Sequence, residues 1–345
     1  MKGESPIKAR VVVGIDGGQT STRCIVCSAD GACLSYVHAS ACGRIVDETE
    51  GPHAPGKMMD VVERALQQAG AEHDDVGCLW LGMTGVPSPE SRPGVLWHDV
   101  LQREFPESRV RVECDIVSAL HGAGGFEPGV VVLSGTGSIA LGFNDDGRYA
   151  RAGGWGWFLG DPGSGYAIGH GAIKAVTDSA DGIGPDTGLT DAVLRELELE
   201  CVEDIKVYLY TRRVPAGEIA ALARLVSMRA QAGDGVAHGI LVRAGADLAA
   251  IASAVLRRLG RLGKLTDVYP SGGVLSHDAV VRRSLQDELE RCAPKARLAE
   301  PQMPPIAGSV LLAARECGIE VDTEFLGLLQ CTLGRQCNER SRCME

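Results

Sequence analysis

The residues best suited to chemistry lie in two turns that are rich in glycine and hydroxyl side chains, and each turn separates two strand-like runs. The first turn reads GIDGGQTST at residues 14–22, and the second reads SGTGS at residues 134–138. Because glycine has no Cβ, backbone amides in such turns can approach phosphate oxygens, and in the first turn the hydroxyls of Thr20 and Thr22 add donors. Asp16 ends a buried strand, where its carboxylate could hold Mg²⁺ through water. Either turn alone could be an ordinary hairpin, but one in each half of the chain favours a site that holds a triphosphate from both sides.

A third candidate is Asp115, which follows a strand at 110–114 and precedes a helical segment at 116–120. A carboxylate in that position could accept the proton of a substrate hydroxyl while the hydroxyl oxygen attacks a γ-phosphate. The alternative is that Asp115 caps the following helix. Both roles are compatible if they belong to different states of the protein.

Two further glycine-rich segments could contact ligands. SGGV at 271–274 lies between a strand and a helix, where small residues would let an adenine or ribose ring lie against the backbone. The segment 153–165 reads GGWGWFLGDPGSG, and aromatic side chains pack well on the apolar faces of sugars. The alternative is that Trp155 and Trp157 fill a hydrophobic core.

Hydrophobic patterning places these motifs in two halves of similar design. Each half begins with three short strands joined by turns and continues into helices, and this order differs from the strict alternation of a Rossmann domain. The pattern predicts an α/β protein with a duplicated domain and a junction near residues 116–128. The expected strands are 11–15, 23–28, 33–39, 78–83 and 110–113 in the first half, and 130–133, 139–143, 149–152 and 267–270 in the second.

Composition narrows the function classes. The 345 residues are 45% hydrophobic and 23% charged, which is enough for two globular domains. The formal net charge is -11 and no Lys/Arg-rich run occurs, so the sequence argues against a nucleic-acid partner. The sequence shows no apolar run of the length that a signal peptide or a membrane span needs. We therefore expect a cytoplasmic protein without a membrane partner.

The twelve cysteines are read as thiols, because disulfide frameworks belong to small secreted domains. Cys24 and Cys27 have CxxC spacing, but in a strand residues three apart face opposite ways, so we expect buried thiols there. Cys331, Cys337 and Cys343 recur every six residues in a polar end. That pattern fits no common zinc module and favours a disordered tail with exposed thiols.

Taken in order, GIDGGQTST, the Asp after VRVEC, VVLSGTGS, GGWGWFLGDPGSGYAIG and SGGVL resemble the N-acetylglucosamine kinase family over residues 11–316. That group also contains glucosamine kinases and the activator ATPases of benzoyl-CoA reductase and 2-hydroxyacyl-CoA dehydratase. The resemblance implies two ribonuclease-H-like domains of the actin-like ATPase kind that flank a nucleotide and sugar cleft. The expected domains are 1–117 and 118–318, followed by the polar tail at 319–345.

The resemblance also implies an activity and a set of residue roles. The activity is phosphorylation of an amino sugar by ATP with Mg²⁺, first of all N-acetylglucosamine to its 6-phosphate, with Asp115 as general base and Asp16 holding the metal through water. The residues expected at the phosphates and the nucleotide are Asp16, Gly17, Gly18, Thr20, Gly135, Thr136, Gly137, Ala220, Gly272, Gly273 and Ser276. Those expected at the sugar are Arg44, Asp115, Gly154, Trp155, Gly156 and Asp161.

Two departures from the family pattern lie on the sugar side. Arg44 stands at or near a position where the family has Asn, and Pro162 replaces an acidic residue. Arg44 could contact an anionic group of the substrate, pair with Asp47 or Glu48, or point into solvent. The alternatives that stay open are a glucosamine kinase, an N-acetylmuramate kinase and an activator ATPase. An activator would hold an iron–sulfur cluster by cysteines near the domain junction, where Cys114 lies, although no clear cluster motif appears. The acceptor sugar and the oligomeric state, a homodimer included, are left open by the sequence.

Overall fold

The computed structural model describes residues 10–43 and 53–343, with residues 53 and 337–343 described by their backbone alone. The chain forms two compact units. Unit 1 comprises Met1–Phe126 and Pro301–Glu345, and unit 2 comprises Glu127–Glu300.

The helices and strands follow in chain order. Unit 1 begins with β1 (Val11–Gly17), β2 (Ser21–Ser28), β3 (Cys33–Ser40), α1 (His53–Ala69), a 3₁₀ turn (His73–Asp75), β4 (Val76–Met83), α2 (Arg92–Glu104), β5 (Arg109–Cys114) and α3 (Asp115–Gly124). Unit 2 contains β6 (Gly129–Ser134), β7 (Ser138–Phe143), β8 (Tyr149–Gly153), α4 (Gly165–Ala180), α5 (Leu189–Glu196), α6 (Asp204–Thr211), α7 (Ala216–Ala221), α8 (Ala223–Gln231), α9 (Gly235–Arg258), β9 (Thr266–Ser271), α10 (Gly273–His277), α11 (Ala279–Cys292) and β10 (Ala296–Leu298). The chain then returns to unit 1 with α12 (Pro305–Glu316) and α13 (Thr323–Cys343).

The sheet of unit 1 has the strand order β3-β2-β1-β4-β5. β1 pairs antiparallel with β2 and parallel with β4, and β4 pairs parallel with β5. Every residue of β1 and β4 is buried, because both strands are central and helices cover both faces of the sheet. The ends of β1, β4 and β5 therefore meet at one edge, and this edge presents Asp16 and Asp115.

Helices α3 and α12 belong to unit 1, whereas the sequence placed most of α3 and all of α12 in the second domain. Small residues let them pack closely: a Cβ on Gly308 would lie 1.9 Å from the carbonyl oxygen of Ser118. The Ser309 hydroxyl donates to the Ile15 carbonyl at 2.9 Å and shares a hydrogen bond of 2.8 Å with the Ser118 hydroxyl. These contacts attach the returning chain to β1, so the observed units differ from the expected bounds of 118–318.

The expected disordered tail is wrong for Thr323–Cys343, which forms α13. Phe325, Leu329 and Leu333 recur every four residues on one face and are buried. The hydroxyl oxygen of Thr332 accepts from the Cys33 backbone amide at 2.9 Å, which ties the helix to β3. Cys331 is exposed as expected, and the side chains of Cys337 and Cys343 lie outside the described part of the chain.

Cys24 and Cys27 lie on opposite faces of β2, in separate core clusters, as the strand periodicity predicts. Both are buried, and burial raises the pKa of each thiol far above its usual range. A thiol that stays protonated is a poor nucleophile and a poor metal ligand, so these two cysteines serve as core residues.

Unit 2 has a second five-stranded sheet in the order β10-β9-β6-β7-β8. β6 pairs antiparallel with β7 and parallel with β9, so three antiparallel strands open this unit as they open unit 1. Its core is formed mainly by α9 packed on α11 and on the sheet. Among the described residues, α9 is the one helix whose length and composition would suit a membrane span, and 56% of that apolar window is buried inside the structure.

Candidate active site

The turn after β1 places Asp16 beside a basic residue of the next strand. Asp16 lies opposite Arg23 in the β1–β2 pair, and the guanidinium is 3.2 Å from the carboxylate. Burial raises the pKa of Asp16 to about 6, although Arg23 pulls it down, and the nearby charge of Asp115 adds to the rise. The turn itself is closed by the Gly18 amide, which donates to the Ser21 carbonyl at 2.9 Å, while Thr20 is exposed.

These groups fit a hard cation. The Asp16 carboxylate and the exposed Thr20 hydroxyl are oxygen donors of the kind that Mg²⁺ prefers. A cation beside Asp16 would also relieve the cost of its buried negative charge. Within the described ranges, no group of three or more His, Cys, Asp or Glu side chains lies close enough to hold a metal ion. A Mg²⁺ at Asp16 would therefore draw its other ligands from water and from nucleotide phosphates.

Asp115 is the first residue of α3, and its carboxylate is half-buried. The N-cap position belongs to Cys114, whose side chain makes no capping hydrogen bond, so the interpretation of Asp115 as the helix cap is wrong. Instead, the Thr84 hydroxyl donates to Oδ2 of Asp115, and Cys114 Sγ lies 3.4 Å from Oδ1. The helix N-terminus favours a negative charge at this point. The carboxylate is thus held in one orientation, as a proton acceptor requires.

Thr84 is a site residue that the sequence did not reveal. It directly follows β4, and its backbone amide donates to the Gly17 carbonyl at 2.8 Å. Parallel strands end at the same edge of a sheet, so the residue after β4 lies between the ends of β1 and β5. That topological rule, applied to the buried strand at 78–83, could have identified it.

The second turn, at 134–138, joins β6 to β7 in unit 2. Gly135 donates its amide to the Gly137 carbonyl at 2.9 Å, which closes the turn. The hydroxyls of Ser134 and Ser138 donate to the carbonyls of Gly163 and Pro162, each at 2.8 Å. The turn is therefore fixed against the segment that leads into α4. Pro162 serves this contact through its backbone carbonyl, which does not depend on the side chain.

Asp161 lies directly against this turn. It is buried, has a positive φ of 45°, and accepts the Gly156 amide at 3.2 Å through Oδ1. Burial raises the pKa of Asp161, while the amides of Gly156 and Ser138 act in the opposite direction. A Cβ on Gly137 would lie 2.6 Å from Oδ2 of Asp161, so a side chain there would have to displace this carboxylate. The assignment of Asp161 to the sugar stays a prediction, and the observed contacts show that Asp161 supports the turn.

The aromatic block between β8 and α4 is an exposed loop. Trp155 is 68% exposed and Trp157 is 45% exposed, so the alternative that they fill a core is wrong. The Arg151 guanidinium lies 5.5 Å from the Trp155 ring centroid. Gly154 and Gly156 have φ values of 70° and 89°, which side chains other than glycine rarely adopt. The loop thus presents two indole rings to solvent, where a sugar could contact them.

A cavity of about 600 Å³ lies within unit 2 and begins at the second turn. Its volume is in the range of cofactor and nucleotide pockets. Its lining comprises Gly135, Thr136, Gly165, Ile168, Gly217, Ala220, Ala221, Ala223, Arg224, Ser227, Met228, Gly273, Val274, His277 and Asp278. The predicted residues Ala220 and Gly273 thus line the cavity together with Gly135 and Thr136 of the second turn.

Gly272 and Ser276, both in the described part of the chain, are not among the lining residues. Gly272 has a φ of 89°, and a Cβ on it would lie 2.4 Å from the Ser134 carbonyl oxygen. It therefore lets β9 and α10 approach the second turn. The sequence also missed Arg224, Ser227 and His277, although the first two are three residues apart on α8, which is the spacing of one helix face.

The model of the BadF/BadG/BcrA/BcrD ATPase family matches residues 13–313. This chain belongs to that family. The chain is 32% identical over 313 residues to the N-acetyl-D-glucosamine kinase of Dictyostelium discoideum, covering 88% of this chain and 97% of that one. It is 31% identical over 310 residues to the N-acetylmuramic acid/N-acetylglucosamine kinase of Clostridium acetobutylicum, covering 89% and 99%.

A solved structure from Chromobacterium violaceum, provisionally named an N-acetylglucosamine kinase, superposes with a TM-score of 0.67 at 28% identity. It covers 89% of this chain and 99% of that protein. The expected α/β fold of the sugar kinases is confirmed, and so is the resemblance on which it was based.

In this member of the BadF/BadG/BcrA/BcrD ATPase family, one predicted sugar contact cannot be placed. Arg44 lies outside the described residues, as do Asp47 and Glu48, its suggested partners. The residues just before it are described: the Cys42 amide donates to the Thr22 hydroxyl oxygen at 3.1 Å, which attaches the end of β3 to β2.

Proposed function

We propose that this protein is an ATP-dependent kinase that phosphorylates a hydroxyl of an amino sugar, first of all N-acetylglucosamine. The observation that carries the proposal is the Asp115 carboxylate, oriented by Thr84 at the strand ends that also present Asp16. Relatives at 31% and 32% identity over nearly their full length carry sugar kinase names, which supports the same assignment.

In the proposed reaction, Asp115 accepts the proton of the sugar hydroxyl, and the hydroxyl oxygen forms a bond to the γ-phosphorus. The bond between that phosphorus and the oxygen of ADP breaks, and ADP leaves with the electron pair. The turn at 134–138 binds phosphate oxygens through its backbone, and the cavity beside it takes the nucleoside. Mg²⁺, held by Asp16 through water, would neutralise phosphate charge.

The exposed loop between β8 and α4 supports a sugar as the acceptor, and the names of the relatives support an amino sugar. The exposed rings of Trp155 and Trp157 can pack on the apolar face of a pyranose. The names of the relatives include N-acetylglucosamine, N-acetylmuramic acid and glucosamine, the last in a Vibrio cholerae kinase at 25% identity. Arg44 stays the candidate for selecting an anionic acceptor, because a guanidinium pairs with a carboxylate in a bidentate way.

A screen for ADP release tests the proposal. Purified protein with Mg²⁺ and ATP is assayed with N-acetylglucosamine, N-acetylmuramic acid, glucosamine and glucose. We expect release that depends on at least one amino sugar. Asp115→Asn should lower kcat by about two to four orders of magnitude and leave ATP binding unchanged, because the amide cannot accept the proton. The control is Asp99→Asn, an exposed carboxylate of α2.

A result without sugar-dependent ADP release would favour the alternative class, an activator ATPase. The family also includes activator ATPases, whose ATP hydrolysis acts on a partner protein. ATP hydrolysis that no sugar stimulates, together with bound iron in protein purified without oxygen, would replace the kinase by an activator. Full turnover in folded Asp115→Asn would remove the general base from the mechanism. A cytoplasmic location and the oligomeric state, a homodimer included, stay predictions.

A further inference from the structure

Thr84 makes two hydrogen bonds that point in different directions. Its hydroxyl donates to Oδ2 of Asp115, and its backbone amide donates to the carbonyl of Gly17. Asp115 begins α3, and Gly17 ends β1 in the turn that holds Asp16. One residue at the end of β4 thus connects the proposed base to the turn after β1. All three parts belong to unit 1.

The hydroxyl of Thr84 makes the two oxygens of Asp115 inequivalent. A threonine hydroxyl has one proton to donate, and here Oδ2 receives it. Oδ1 has a weaker contact, since the Cys114 sulfur lies 3.4 Å away and a thiol is a weak donor. Oδ1 is therefore the oxygen with the weaker partner, and its lone pairs are the less engaged of the two. Without the Thr84 hydroxyl, the carboxylate could rotate, and a proton acceptor loses efficiency when its geometry is not fixed.

The backbone around Thr84 is tightly packed, and this packing fixes the position from which its side chain extends. Gly17 and Met83 are paired in the β1–β4 register, and a Cβ on Gly17 would lie 2.3 Å from the sulfur of Met83. Thr84 is half-buried between these strand ends. A shift of the turn after β1 would therefore move Thr84 and, with it, its hydrogen bond to Asp115.

We propose that Thr84 is the positioning residue of the phosphoryl-transfer base: its hydroxyl orients Asp115 so that Oδ1 accepts the proton of the sugar hydroxyl. This inference rests on the proposed kinase function. Thr84 acts through Asp115 and does not itself exchange a proton with the substrate. Its contribution therefore appears in turnover and not in nucleotide binding.

The test is a double-mutant cycle with a conservative rescue. Thr84→Val removes the hydroxyl at nearly constant volume, and Thr84→Ser keeps it. We expect Thr84→Val to lower kcat about ten- to a hundredfold with KM for ATP within about twofold, because a hydrogen bond to a charged group is lost. Thr84→Ser should stay within about threefold of the wild type. In Asp115→Asn protein, Thr84→Val should change kcat by less than about twofold, because there is no longer a base to orient.

Thr332→Val is the matched control. Thr332 lies on α13 in the same unit, and its hydroxyl accepts from Cys33 and donates to the Leu328 carbonyl. Like Thr84→Val, the Thr332→Val variant loses one hydroxyl that makes a structural hydrogen bond. The kcat of Thr332→Val should equal that of the wild type. Thermal unfolding and the binding of a fluorescent ATP analogue, measured for every variant, separate a folding defect from a lost orientation. If Thr84→Val fails to fold, Thr84→Ala replaces it with the same expectation.

Three outcomes would overturn the role of Thr84. These are normal turnover in folded Thr84→Val, no rescue in folded Thr84→Ser, and losses that multiply in the double variant. Each of them leaves the kinase function standing if the wild type phosphorylates a sugar and Asp115→Asn does not. A wild type without sugar-dependent ADP release overturns the kinase function and the role of Thr84 together.

Discussion

The two glycines of the turn at 134–138 have different surroundings. A Cβ on Gly137 would lie 2.6 Å from the buried carboxylate of Asp161, so a side chain there would displace that residue. A Cβ on Gly135 would have no atom within 4 Å, and Gly135 lines the cavity. Packing against Asp161 thus favours glycine at position 137. Gly135, in contrast, leaves space at the place where phosphates are proposed to bind.

Gly135→Val should therefore weaken ATP binding by about tenfold or more without lowering the unfolding temperature, because the added side chain enters the cavity. Titration calorimetry with ATP and a thermal melt measure the two effects. Gly263→Val, at another glycine with open space around it, is the control for the β-branched side chain itself. Wild-type affinity in Gly135→Val would place the phosphates elsewhere.

At the scale of residues, the sequence suggests as candidates those groups whose type and local context are typical of a particular chemistry. Asp16 lies at the end of β1, Asp115 directly follows β5, and the glycines of both turns stand in recognisable motifs. Thr84 and Arg224 stand in no motif, because their roles depend on what the fold brings near them. Thr84 contacts Asp115 across 31 positions of the chain, and only the order of the parallel strands could have indicated this.

Helix α3 has an ionisable residue near each end, a carboxylate at its start and a buried histidine in its last turn. Asp115 begins it at the edge of the sheet, and His121 lies buried in its last turn. Nδ1 of His121 donates to the Gly125 carbonyl at 2.7 Å. Burial lowers the pKa of His121 to about 4, this hydrogen bond opposes the fall, and the charge of Arg315 adds to it. The imidazole is therefore neutral in the folded protein across the physiological range.

This histidine predicts a stability loss in acid. Its pKa in the folded state lies below the unfolded value of 6.5, so the unfolded chain binds the proton first as the pH falls. Stability is present above pH 6.5 and is lost between that value and about 4. From pH 7 to pH 5 we expect the free energy of unfolding of the wild type to fall by about 2 kcal/mol relative to His121→Asn.

Urea titrations of both proteins at the two pH values measure that difference. Asn keeps a donor near the position of Nδ1 but does not titrate. Burial also raises the pKa of Asp16 and of Glu113, each to about 6, but both carboxyls are present in both proteins and cancel in the comparison. Parallel pH dependences of the two proteins would contradict the assignment to His121.

At the scale of elements, the strands of both sheets were predicted well where alternation or continuous apolar runs marked them. The short β10 was missed, because three residues show no period. Helix α13 was missed because polar residues and cysteines conceal the stripe of Phe325, Leu329 and Leu333. The attachment of α12 to unit 1 depends on the close approach of Gly308 to α3, which no local pattern shows.

At the scale of the whole molecule, the repeated order of three strands and then helices predicted two similar halves. The structure has two five-stranded sheets, each with three antiparallel strands at its start. The chain passes from unit 1 to unit 2 after Phe126 and returns to unit 1 at Pro301. The second crossing could not be predicted from composition, because α12 is as apolar as a core helix of either unit.

Unit 2 is a continuous segment with its own sheet, its own core and the entire lining of the cavity. A segment with these properties can fold alone. We therefore expect a fragment of residues 127–300 to unfold cooperatively and to bind ATP. It should transfer no phosphate to a sugar, because Asp115 and Asp16 belong to unit 1.

Circular dichroism melts measure the folding of the fragment, and titration with a fluorescent ATP analogue measures binding. The same fragment with Gly135→Val is the control, since it should fold and lose binding. A folded fragment with no affinity for ATP would show that the cavity of unit 2 alone does not hold the nucleotide.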